Sequence, residues 1–158
     1  MNQNGQLWPS IVAVAVFAIA MGSAQAQSAK DLVGTWTVVS ITGEDDPNPR
    51  GMLTFDAGGR FVQVNTRSDL PKYASGKRNE GTADEYKAIA LGSIGFFGTY
   101  TVDGTNLIRH VEGSTIPNMV GSDQKLVNLT LTGDELKWTN PTPPSGGALI
   151  VVSWKRAK

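Results

Sequence analysis

"DLVGTWTVVSITGE", residues 31–44, carries the reading from which the fold follows. Gly34-Thr35-Trp36 stands directly ahead of a run rich in β-branched residues, 35–42. Valine, isoleucine and threonine lose little by extending, so the run reads as a strand. A glycine is needed where the backbone turns sharply against a large ring.

Outward from that strand the pattern repeats. Eighteen glycines and eight prolines cut the chain into short pieces. Residues 50–56 and 60–66 flank "AGG", a glycine-bearing turn that predicts a hairpin. Residues 95–102 and 106–113 flank "DGT", and 125–132 and 135–140 flank Gly133-Asp134. A final strand, 148–155, follows the Pro/Gly-rich loop "PTPPSGG". These eight strands, joined mostly as neighbours, suit a sandwich or a closed barrel, and periodicity does not choose between them. One segment differs. Thr82 and Glu85 have capping-box spacing, Tyr86, Ile89 and Ala90 recur at helical spacing, and Gly92 suits a C-terminal stop. The spacing predicts one short helix over 82–91. The preceding loop, 67–81, carries Arg67, Lys72, Lys77 and Arg78 and reads as solvated surface.

Residues 11–21, "IVAVAVFAIAM", are uninterruptedly apolar but shorter than the roughly 20 residues a bilayer span needs. Ala24-Gln25-Ala26 follows with the small-x-small pattern of a signal peptidase site. The expected organisation is a signal peptide over 1–26 and one β-barrel domain over 27–158, periplasmic or secreted, with no stable membrane insertion after cleavage. A retained membrane anchor is the alternative, because no Lys or Arg precedes the apolar run. Fourteen basic residues balance fourteen acidic ones, so no net field draws the chain to nucleic acid. With no cysteine, stability outside the cytoplasm rests on packing, and thiolate metal sites are excluded.

Gly34-Thr35-Trp36 resembles the Gly-x-Trp motif of the lipocalins and the wider calycin superfamily. Longer stretches extend the likeness: "RSDLPKYAS", "EGTADEYKAIALGSIGFFGTYTVDG", "HVEGSTIPN", "GSDQK" and "LTGDELKWTNP" look like the bacterial lipocalin-like domain family. The resemblance covers almost all of residues 27–158. It implies an all-β, eight-stranded antiparallel up-and-down calycin/lipocalin-like barrel with one short helix. It also implies that Trp36 closes the narrow end and that a basic residue near the last strand stacks over it. Arg156, after Trp154 and Lys155, is expected there. A guanidinium over an indole gains a cation–π contact and still reaches backbone carbonyls. The family's activity is largely undefined, so the likeness implies little chemistry and no cofactor.

His110 is the one histidine. On a strand, Ile108, His110 and Glu112 share one face, and Leu107, Arg109 and Val111 share the other. If the first face points inward, His110 and Glu112 form a polar pair inside the barrel, able to orient a ligand or to act in acid–base catalysis. A structural histidine bonded to a neighbouring strand is the other reading. Gln63 and Asn65 alternate with valines, Asn128 with Val127 and Leu129, and Phe96, Phe97 and Tyr100 supply aromatic surface. Gln63, Asn65, Phe96 and Tyr100 join His110 and Glu112 as candidate ligand-binding residues. One histidine and no cysteine leave no common zinc site. "LGSIG" lacks the spacing of a nucleophile elbow, and no Gly-rich phosphate loop opens a helix.

Three functions fit these residues. The first is a barrel binding a small hydrophobic or amphipathic molecule, with the helix and the loop 67–81 over its open end. The second is a cofactor-free isomerase, cyclase or hydrolase using His110 with Glu112. The third is a structural or interaction barrel with a filled interior. An enzyme is the less favoured expectation.

Overall fold

Eight strands close into one antiparallel barrel in the computed structural model, which describes residues 27–43 and 46–158. The expected signal peptide, 1–26, lies outside the described residues. The strands are β1 (Gly34–Ile41), β2 (Arg50–Phe55), β3 (Arg60–Thr66), β4 (Ser93–Asp103), β5 (Asn106–Ser114), β6 (Asp123–Thr132), β7 (Glu135–Asn140) and β8 (Ile150–Arg156). Each pairs with its sequence neighbour, and β1 pairs with β8 to complete the ring. Closure leaves no free sheet edge.

The helix α2 (Ala83–Gly92) bridges β3 and β4. Its capping box is formed: Glu85 N–H donates to Thr82 Oγ1 at 3.3 Å, and Thr82 N–H donates to Glu85 Oε2 at 2.7 Å. Gly92 does not stop the helix as the sequence suggests. It stays helical and Ser93 runs straight into β4. Its small size matters instead, because a Cβ there would meet Leu70 at 2.5 Å. A short helix, α1 (Ala29–Leu32), precedes β1 and was not legible in the sequence.

The barrel has two unlike ends. One is packed solid. Trp36, Leu53, Phe55, Phe61, Leu107 and Trp154 are buried there, and α1 lies beneath with Leu32 fully buried. Trp36 Nε1–H donates to Leu32 O at 2.9 Å, so the indole's polar atom is satisfied within the plug. The β1–β8 register sets Trp36 directly opposite Arg156. The Arg156 guanidinium carbon sits 4.1 Å from the Trp36 ring centroid, while Nη1 donates to Val33 O at 2.9 Å and Nη2 to Asp31 O at 3.2 Å. Gly34 takes φ +132°, and a Cβ there would stand 2.8 Å from Arg156 Nη1. Glycine is thus required twice over, by backbone and by space.

Three bulges adjust which side chains enter the barrel. In β1–β8 the register shifts between Val38 and Ser40, so that Val38 and Ile41 are both buried. In β4–β5 the register shifts between Phe97 and Gly98. In β6–β7 it shifts between Val127 and Thr130, with Asn128 at φ +55°. Asparagine tolerates that conformation better than most residues. The extra residue lets Leu126 and Leu129 both point inward and leaves Asn128 exposed.

Candidate functional site

The other end of the barrel holds a cavity of about 690 Å³. It opens where β1, β3 and β7 finish and β4 and β8 begin. Isoleucines supply much of its wall: Ile41, Ile94, Ile116 and Ile150. The mouth is bordered by Ala90 and Leu91 of α2 and by the loop 143–146. Leu91 is 79% exposed, unusual for a leucine. Arg67 is the one residue of the loop 67–81 in the cavity wall. The rest of that loop folds onto α2, with Ala74 N–H donating to Glu85 at 2.8 Å and Tyr86 O–H donating to Arg78 O at 2.8 Å. It does not roof the barrel.

The deepest layer of the cavity is built from Gln63, Phe96, Arg109, Gln124, Trp138 and Val152. Arg109 is its centre and is 3% exposed. Nη1 donates to Gln63 Oε1 at 2.6 Å and Nη2 to Gln124 Oε1 at 2.9 Å. The guanidinium carbon lies 4.9 Å from the Phe96 centroid, 5.2 Å from Phe61 and 5.6 Å from Trp138. Its Nε has no hydrogen-bond partner. Among the described residues no carboxylate pairs with this cation. Burial pushes its pKa down to about 9, so it remains a cation at neutral pH. Taking such a charge out of water costs several kcal/mol after relaxation.

Higher in the wall, Asn65 Oδ1 is buried without a partner. Its side chain occupies the space that Gly51, opposite it on β2, leaves empty; a Cβ on Gly51 would collide with it. At the rim Asp46 is buried and receives three hydrogen bonds. Ser68 N–H and Ser68 Oγ–H each donate at 2.7 Å, and Asn48 N–H donates at 3.0 Å. Those donors hold its carboxyl below the usual carboxylate range.

The six candidate binding residues divide. Gln63, Asn65 and Phe96 line the cavity. Tyr100 does not: it packs at the closed end, 4.5 Å from the Phe55 ring, with its hydroxyl 3.0 Å from Asp56 O and 3.2 Å from Ala29 O. His110 and Glu112 are a correction of a different kind. Both lie on the outer surface. His110 Nδ1 contacts Asp123 Oδ1 at 2.7 Å, and Glu112 pairs with Arg60 at 2.7 Å. The reason is strand phase. Burying Leu107 and Val111 puts Arg109 inside, whereas the opposite phase would bury Ile108 with two polar groups. Arg109 was therefore the residue to single out, and its only sequence signal was a basic side chain between two aliphatic ones at i±2.

A family model described as a lipocalin-like domain matches residues 33–157, which take in every strand of the barrel and the cavity wall. The chain belongs to the lipocalin-like domain family. No curated protein matches it. As a lipocalin-like barrel it has the general architecture of a ligand-binding container, closed below by Trp36 and hollow above Arg109. Among the described residues no three His, Asp or Glu side chains gather as a metal centre, and no helix is long and apolar enough to cross a membrane.

Proposed function

We propose that this lipocalin-like protein binds a small, mostly apolar molecule inside its barrel and that it does so in the periplasm or outside the cell. The observation that supports the reading best is the cavity itself. At about 690 Å³ it falls in the range typical of small-molecule sites, roughly 300–1,000 Å³. Its isoleucine wall would remove an apolar ligand from water at about 25 cal/mol per Å² buried. A few polar groups, Gln63, Asn65 and Asn140, are placed to orient what enters. The enzyme reading built on His110 and Glu112 loses its support with both residues outside. A filled interior is at odds with the same cavity volume.

Titration with the neutral dye N-phenylnaphthylamine tests the binding reading, because Trp138 borders the cavity and reports on its contents. Saturable dye fluorescence with quenching of tryptophan emission and a rise in Tm is the expected result. Native mass spectrometry of protein from its own host should retain a small molecule. Absence of both signals would reject interior binding. Export is tested separately: the protein isolated from its host should begin at Gln27, and full-length chain confined to the cytoplasm would reject it.

A further inference from the structure

We propose that the ligand is an amphipathic monocarboxylate, its carboxylate paired with the buried guanidinium of Arg109 and its apolar body lying along the isoleucine wall. The proposal deepens the reading of the cavity as a small-molecule site and rests on it. Its starting point is an unbalanced charge. Arg109 is enclosed by β5, β6 and the facing strand β3, yet its two hydrogen-bonded partners are neutral amides, and the rings of Phe61, Phe96 and Trp138 lie against it. A guanidinium carries five N–H donors, and these two bonds leave three of them uncommitted. Both glutamines turn their oxygens to the arginine, so each amide –NH2 remains as a further donor at the same depth. Cation and donors of one polarity, gathered at the floor of an apolar cavity, make an anion site.

The choice of a monocarboxylate follows from charge count and shape. Arg67 is the other cation of the cavity wall, but it stands at the rim and already holds Asp69 in a bidentate pair at 2.8 Å. A phosphate dianion would leave one charge unmatched at the floor. A planar carboxylate takes the guanidinium fork in two parallel hydrogen bonds. Asp46, the acidic group of the wall among the described residues, is committed to Ser68 at the mouth and does not compete for the floor. The depth also assigns the orientation: the charged head goes in first and the tail extends towards Leu91.

Displacement of N-phenylnaphthylamine by matched ligands tests this. The probes are dodecanoate, methyl dodecanoate and dodecylammonium, with naphthylacetate and its methyl ester as a pair of different shape. Wild type should prefer each acid over its ester by at least about tenfold, and the ammonium should bind worst. In Arg109→Met the acid preference over the ester should vanish or reverse; Arg109→Lys should retain part of it. Esters binding wild type as well as acids, or an undiminished acid preference in Arg109→Met, overturns the monocarboxylate and leaves interior binding standing. Failure of the dye and of every probe to bind overturns both. Should Arg109→Met not fold, the ranking of acid, ester and ammonium on wild type decides alone.

Discussion

The guanidinium carbon of Arg156 lies 4.1 Å from the ring centroid of Trp36, and the same guanidinium ties down the carbonyls of Val33 and Asp31. One side chain thus caps the indole and fastens the segment that plugs the barrel. Trp36→Ala should destabilise by about 3–5 kcal/mol, since the ring is fully buried. Arg156→Ala should cost less, about 1–2 kcal/mol, through lost stacking and two backbone contacts. Urea unfolding of the two variants checks the order; a Trp36→Ala loss below about 1 kcal/mol contradicts the plug.

Gly98 faces the β4–β5 bulge, where a Cβ would collide with the His110 carbonyl oxygen. Backbone cannot move aside as a flexible side chain can. Gly98→Ala should lower stability by about 1–3 kcal/mol. Unfolding at the wild-type midpoint would show the bulge to be more pliable than its geometry indicates.

Arg109 gives a signed pH dependence. Its pKa falls from the ordinary arginine range in the unfolded chain to about 9 in the fold, so between those values the unfolded state binds more protons. Stability from this group therefore rises with pH above about 9. Lysines and tyrosines titrate in the same range, so the quantity to measure is wild type minus Arg109→Met. That difference should move in favour of wild type from about pH 8 to about pH 11. A flat difference rejects a destabilised buried proton.

Asp46 predicts the opposite limb. Its carboxyl is held low by Ser68, so its contribution is complete above the unfolded carboxylate pKa and is lost as pH falls through the depressed folded value. Asp46→Asn should lose stability at neutral pH and be less sensitive to acid than wild type. Acid titrations that superimpose for the two proteins would refute the role of the Ser68 contacts.

His110 offers a control. It is half exposed, and its contact with Asp123 is on the outer wall. His110→Gln should leave stability within about 0.5 kcal/mol and dye affinity unchanged. A large loss of affinity would place the imidazole in contact with the ligand despite its position.

Strand number, hairpin pairing and the capping of α2 were legible in the sequence because each rests on local chemistry, whereas the Trp36–Arg156 closure was expected only from the family resemblance. β-branched runs, glycine turns and a Thr–Glu cap act within a few residues. Gln63, Asn65 and Phe96 were readable as candidates for the same reason: each stands in a strand of plain alternation. The identity of the central polar group was not. Alternation along β5 has two phases, and local sequence does not say which one faces in. The phase is set when Leu107 and Val111 find the core and when the bulges at Gly98 and Asn128 shift the neighbouring registers by one residue. Those are contacts between strands distant in the chain. By itself the sequence determined that eight ribbons and one capped helix would form. Only the tertiary structure decided that Arg109, and not His110, stands at the floor of the cavity, because burial is shared across the whole ring of strands.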